Sequence, residues 1–173
     1  MKRAIIADAR KCCFPPIIDA RARVLILGTL PGEESLRLQQ YYGHPRNAFW
    51  NVIAHALGEK PASDYDKRVA MLLRHRLALW DVLSSADRTG SLDAAIRNPA
   101  PNDFAALFAA RPRLRAMAFN GQTAKTLFRR HIISSAHQTA AEFLLPSTSP
   151  AYTMPVEEKA KRWRDALQAA LAL

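Results

Sequence analysis

Four short, uninterrupted apolar runs, separated by segments of helical periodicity, constrain this chain more than any other feature. They are residues 23–29 (RVLILGT), 77–83 (LALWDVL), 114–119 (LRAMAF) and 142–145 (EFLL). Each is too short for a core helix, and a continuous apolar run of this length reads as a strand buried on both faces. Between them, Phe49, Trp50, Ile53, Ala54 and Leu57 recur at helical spacing and stop at Gly58. Further helices are expected over residues 64–74, from an Asn102 cap to about Ala110, over 122–130, and from near Pro155, the last burying Val156, Ala160, Trp163 and Leu167. Strands that alternate with helices need crossover connections, so the expected class is α/β with a parallel sheet covered on both faces. Residues 1–20 read as an irregular lead-in broken at Phe14-Pro15-Pro16, and residues 98–101 as a loop. With 173 residues and no repeat or linker, a single domain over 1–173 is expected.

Charge narrows the partner class. Lys and Arg total 25 against 15 Asp and Glu, a net +10, while 49% hydrophobic residues suffice for a core. Such a balance suits a phosphate-rich ligand, nucleic acid first, or else a solvated surface carrying 18 scattered Arg and 7 Lys. No apolar run is long enough to span a bilayer, and the first eight residues turn polar too soon for a secretory signal. Cys12 and Cys13 are adjacent and too few for an iron–sulfur cluster or structural zinc, and His55, His75, His131 and His137 show no ligand spacing. These points lead us to expect a soluble cytoplasmic protein with no membrane, metal or cofactor requirement.

In open parallel sheets, ligands bind outside the carboxyl ends of the strands. Three of the four expected ends carry unusual residues. Gly28-Thr29-Leu30-Pro31-Gly32 is neither a P-loop nor a dinucleotide fingerprint; it exposes backbone to a close ligand or is a plain turn. Asn120-Gly121 reads a base edge through its amide or caps a helix. Pro146-Ser147-Thr148-Ser149-Pro150 grips a phosphodiester or is a rigid connector. Between the first and second strands lies YYGHPRNAFW, residues 41–50, in which aromatic faces, Arg46 and the Asn47 amide suit a flat, polar-edged ligand. Asn47 is also a good cap for the helix that buries Phe49 and Trp50, and His44 before Pro45 fits a loop. Asp81, at the end of the second strand, is a modest candidate for orienting a water.

The order GTLPG, HPRNAFW, FNG and LPSTSP resembles the uracil-DNA glycosylase superfamily, and most of all its hypoxanthine-DNA (deoxyinosine) glycosylase branch. The resemblance runs from about Phe14 to Trp163. It implies a three-layer α/β/α sandwich around a four-stranded parallel sheet, DNA held at the strand carboxyl ends, and a deaminated base flipped out for hydrolysis of its glycosidic bond. By the same resemblance Asn47 is catalytic. Gly28, Leu30, Pro31, Gly32, Tyr42 and Asn120 bind the base, Tyr42 by stacking, and His44, Arg46, Ser147, Thr148 and Ser149 meet the DNA backbone. A monomer is implied.

The sequence departs from the superfamily at Leu30, where many members carry an Asn or Asp, and at Leu145, where many carry a His. With two polar catalytic positions apolar, the work falls to Asn47 or is lost. Loss would leave a binder of damaged or abasic DNA, and a uracil-specific enzyme is the other alternative. An amide does not titrate near neutrality, so a flat pH profile is expected. No lysine in these motifs offers a Schiff base, so base release without strand cleavage is expected.

Overall fold

The computed structural model describes residues 10–132 and 139–173. A parallel sheet forms its centre, in the order β3-β2-β6-β7: β2 (Val24–Gly28), β3 (Leu77–Asp81), β6 (Ala116–Asn120) and β7 (Ala141–Leu145). These are the four apolar runs of the sequence. Because successive side chains point to opposite faces, each strand feeds two cores. Val24, Ile26, Leu77, Leu79, Ala116 and Ala118 pack under α2 (Phe49–Ala56), α3 (Tyr65–Arg74) and α6 (Val156–Leu171). Leu25, Leu27, Ala78, Met117 and Phe119 pack under α4 (Phe104–Ala110) and α5 (Gln122–His131). The result is the expected three-layer α/β/α arrangement. Trp163 of α6 and Phe49 of α2 are fully buried and meet edge to face at 5.8 Å; burying side chains of this size stabilises by about 1.5–3 kcal/mol each.

A second sheet was not expected. β1 (Arg10–Cys12), β4 (Leu83–Asp87) and β5 (Arg97–Pro101) pair antiparallel in the order β1-β4-β5. Part of the lead-in over 1–20 is therefore a strand; its first nine residues lie outside those described, as does His137. The presumed loop at residues 98–101 is likewise a strand, and its prolines are tolerated because β5 is an edge. The run 77–83 divides at Val82, where Val82 N–H donates to the Gly28 carbonyl (2.9 Å) and Leu83 N–H to Thr29 (3.1 Å), turning the chain from one sheet into the other. The cap of α4 is also corrected: Asp103 accepts from Ala106 N–H, while Asn102 reaches back to the Asp81 carbonyl at 2.8 Å.

Register places the site. Gly28 pairs with Asp81, Leu27 with Phe119, and Asn120 with Leu145, so the four strands end level. Among the described residues no helix is long and apolar enough to cross a membrane.

Candidate functional site

At the level carboxyl ends lies a cleft of about 1140 Å³. Its floor is the strand ends, and its walls are the segments after β2, before α2 and after β7. All twelve residues expected to bind base, catalyse or meet the backbone line it. They do not stand in it equally.

The first wall follows β2 into α1 (Glu33–Leu38). Leu30, at the position that is polar in many superfamily members, turns its side chain into the core and is 6% exposed, so it meets the cleft chiefly through backbone. Its carbonyl accepts from Arg88 Nη1 at 3.4 Å, and Arg88, itself buried, also donates to the Pro31 carbonyl and to Asp93. Thr29 Oγ1 donates to Asp93 Oδ1 at 2.9 Å, and Glu33 N–H to Ser91 Oγ at 3.0 Å. The 88–93 segment thus fixes the glycine turn. Sequence reasoning missed this brace, since no local pattern reports a bond to a residue 57 positions away.

The second wall contains two tyrosines with different jobs. Tyr41 is buried: its hydroxyl donates to the Phe14 and Pro15 carbonyls (both 3.1 Å), and its own carbonyl accepts from Trp50 Nε1 at 2.9 Å. Tyr42, at a left-handed φ of 52°, turns the other way and lays its ring on Phe49 at 4.0 Å and 13°. Burial and the nearby Asp81 carboxyl push its phenol well above the ordinary range. Asn47 Oδ1 accepts from Phe49 N–H at 3.0 Å in a turn that leads into α2; the N-cap itself is Ala48, so Asn47 is not the cap that its residue type suggested. Asn47 Nδ2 has no hydrogen-bond partner among the described residues, so the same side chain keeps its donor hydrogens for a ligand. His44 Nδ1 accepts from Arg46 N–H at 3.1 Å, which places the hydrogen of a neutral ring on Nε2.

Asn120 is fully engaged as a donor. Nδ2 donates to Tyr42 Oη and to Thr148 Oγ1, and Oδ1 accepts from Thr148 N–H, each at 2.9 Å. The backbone donor fixes which end of the amide is oxygen. Thr148, expected at the DNA backbone, is 1% exposed and spends its hydroxyl on Asn120; in this arrangement it is an internal brace, because a buried hydroxyl cannot reach a phosphate. Ser147 and Ser149 are half-buried and line the cleft, with Ser147 Oγ accepting from Ser149 N–H at 3.2 Å. From below, α6 holds this loop: Lys159 donates to the Tyr152 carbonyl at 2.7 Å, and Trp163 Nε1 to the Pro146 carbonyl at 2.9 Å. Leu145, where many members carry a His, is 2% exposed and belongs to the core.

The strongest chemical feature is Asp81. It is 4% exposed, lines the cleft, and its Oδ2 has no partner. Desolvation and the Asp93 charge push its pKa up to about 7 against the opposing pull of Arg88. A side chain on Gly28 would begin 2.7 Å from Asp81 Oδ1 and 2.7 Å from Tyr42 Oη. Only glycine leaves that point open, which explains the first residue of GTLPG. A buried, unpaired carboxyl costs stability and persists where function uses it. The sequence marked Asp81 only by its place at a strand end; its isolation needed three-dimensional neighbours. Among the described residues no group of three or more His, Cys, Asp or Glu gathers to hold a metal.

This geometry has close parallels. Two archaeal proteins named hypoxanthine DNA glycosylase are similar to the chain: one from Methanosarcina acetivorans is 44% identical over 64% of this chain and 71% of its own length, and one from Methanosarcina barkeri is 41% identical over 65% and 72%. A solution NMR structure from Methanosarcina acetivorans, described as that of a candidate uracil DNA glycosylase, superposes with a TM-score of 0.76 at 34% identity, covering 93% of this chain and 98% of that one. The family model of the uracil DNA glycosylase superfamily matches residues 15–171, which takes in both walls, the floor and the helix beneath. By fold and by sequence, the chain belongs to the uracil DNA glycosylase superfamily.

Proposed function

We propose that the cleft takes one flipped nucleotide of DNA and hydrolyses the N-glycosidic bond of a deaminated base, hypoxanthine in the first place and uracil in the second. The two similar proteins named for hypoxanthine favour that order. The observation that carries the reading is the meeting of an unpaired carboxyl, Asp81, with the free amide donors of Asn47 in one cleft.

Base departure leaves an oxocarbenium-like sugar and puts negative charge on the leaving base. Donors aimed at that charge lower the barrier, and Asn47 Nδ2 is such a donor. Water attacks the sugar carbon; Asp81, as carboxylate, orients it and accepts its proton. Hydrolysis of this kind uses water alone and needs no cofactor. Among the described residues no lysine lines the cleft, and Lys159 lies beneath it with its ammonium on two carbonyls; in this reading the base is released without strand cleavage. Tyr42 has one face on Phe49, so a base stacks on the other. The donors of Asn120 are committed in the free protein, so it reads a base by exchanging the Tyr42 or Thr148 bond, or acts through Tyr42, whose hydroxyl it holds as an acceptor. Arg46, His44, Ser147 and Ser149 stand at the wall for phosphates. The enzyme works as a monomer in this reading, since every group it uses comes from one chain.

The buried side chains of Leu30 and Leu145 favour one other reading, a protein that binds damaged DNA without cutting the bond. Single-turnover base release from matched duplexes containing deoxyinosine, deoxyuridine or neither separates the two. Release from the inosine duplex, revealed by alkali at the abasic site, is expected. Tight lesion binding with no release from any duplex would make the chain a binding protein.

A further inference from the structure

A second concentration of positive charge lies at the other end of the sheet. A bowl of about 530 Å³ is lined by Arg21, Arg23, Arg74, Arg76, Arg113 and Arg115 and by no other residue type. Six of the chain's 18 arginines gather there. Arg23, Arg76 and Arg115 immediately precede β2, β3 and β6, and they are tied rung to rung: Arg23 N–H donates to the Arg76 carbonyl at 2.9 Å and Arg115 N–H to the Arg23 carbonyl at 2.8 Å. Three like charges therefore stand side by side on neighbouring strands, an arrangement that repels.

Local acids offset two of the six. Asp19 is bonded to Arg21, and Glu59 to Arg74 and His75. Arg115 reaches only a carbonyl, that of Pro112. Arg23, Arg76 and Arg113 have no side-chain partner among the described residues. A cation in the last turn of a helix is favourable, which accounts for Arg74 of α3 but not for the row at the strand starts. Arg76 even occupies a left-handed φ of 58°, where glycine or asparagine is the easier choice.

We propose that this bowl is a second phosphate-backbone site, which holds a separate segment of duplex DNA while the cleft at the opposite strand ends holds the lesion. The row from Arg76 through Arg23 to Arg115 spans two inter-strand spacings, about 10 Å, the axial rise of about three phosphates on one strand. Strands of five residues separate it from the cleft, roughly 17 Å, so one duplex end in the cleft does not fill it. The choice of DNA over another polyanion rests on the proposed function.

The test uses the full chain and a variant carrying Arg23→Gln, Arg76→Gln and Arg113→Gln, which removes charge but no protein contact and should melt no lower than the wild type. Sedimentation with a short undamaged duplex in excess is expected to show two duplexes on the wild type and one on the variant. The affinity of the wild type for its second duplex is expected to fall with salt, log against log, with a slope of about −3, one 0.9 increment for each of three phosphate contacts. Single-turnover release from a short lesion duplex should be unchanged. Inorganic tripolyphosphate should displace the second duplex and leave the lesion duplex bound. Saturation of the wild type at one duplex, or two duplexes on the variant, would overturn the proposal. Tripolyphosphate bound by the wild type alone, with no second duplex ever taken, would also overturn it and assign the bowl to free polyphosphate. A wild type that takes two duplexes but releases no base would break the glycosylase reading and leave this one standing.

Discussion

The two ends of the parallel sheet handle charge in opposite ways. At the carboxyl end, Gly28, Asp81, Asn120 and Leu145 end level, polar groups are buried, and most donors and acceptors are matched, with Asp81 Oδ2, Arg88 Nε and the Asn47 amide hydrogens left over among the described residues. At the amino end, Arg23, Arg76 and Arg115 repel one another but mostly in water, which screens them. The same strands therefore carry an expensive, dry site and an inexpensive, wet one. Dry sites move reaction rates because field strength survives there. Wet ones move binding and its salt dependence. Substitutions at the carboxyl end should accordingly appear in the chemical step.

The largest effect belongs to Asn47. Asn47→Ala removes a free donor and is expected to lower single-turnover release by about 10³-fold, the upper end for a donor of this kind, while lesion affinity is kept. Loss of the bond to Phe49 N–H also weakens the start of α2, by about 1 kcal/mol. Asn47→Asp separates the two roles: the oxygen still accepts from Phe49 N–H, but no amide donor remains. Normal stability with lost release marks catalysis; normal release with lost stability in the alanine variant would mean Asn47 only holds the turn before α2.

Asp81→Asn should cost about 10²-fold, the low end for a general base. It should also change the shape of the pH profile. Wild-type release is expected to rise with pH through about 7 as Asp81 ionises, a sloped profile in place of the flat one expected from the sequence, and the Asn variant should restore flatness. Stability runs the other way. The folded pKa lies above the ordinary carboxyl value of 3.8, so between these limits the folded state holds a proton that the unfolded state has released. Stability due to this group is full below about pH 4 and falls by a few kcal/mol as pH rises through 7. Thermal melts at pH 8 should find Asp81→Asn more stable than the wild type and less active. A variant both less stable and equally active would remove Asp81 from the mechanism.

How much of this the chain disclosed depended on how local each cause was. The four strands were legible because burial on both faces leaves an uninterrupted apolar run, and α6 because Ala160, Trp163 and Leu167 keep its period. The second sheet was hidden: β5 reads Arg-Asn-Pro-Ala-Pro and β1 Arg-Lys-Cys, compositions that only an exposed edge allows. In the site, the motif residues announced themselves by type, and the structure gathers all twelve at one cleft. Their partners did not. Thr148 resembles its serine neighbours in sequence and differs from them only by facing Asn120. Arg88 and Asp81 are isolated letters whose meaning is set by burial.

A smaller effect tests the open point between Asp81 and Tyr42. Gly28→Ala puts a methyl 2.7 Å from both oxygens, and overpacking of this kind costs about 1–3 kcal/mol. Release should fall about tenfold, the equivalent of 1.4 kcal/mol in the barrier, with the pH slope displaced because Asp81 must move. An unchanged slope would show that the carboxyl and the glycine do not share the working space.

The smallest effect is the most discriminating for Asn120. Tyr42→Phe keeps the ring on Phe49 and deletes only the hydroxyl that accepts from Asn120 Nδ2. Loss of one buried partner costs about 1–3 kcal/mol when the donor is left unmatched. If Asn120 reads the base directly, the freed hydrogen is available to the ligand, and release from the inosine duplex should hold or improve slightly while stability drops. If Asn120 acts only by orienting the Tyr42 hydroxyl, the same variant should lose discrimination between deoxyinosine and the undamaged purine. Measuring both rates on one variant therefore decides whether the amide at the end of β6 touches the base or works one bond away, a distinction that the filled hydrogen-bond network of the free protein poses and the sequence alone did not.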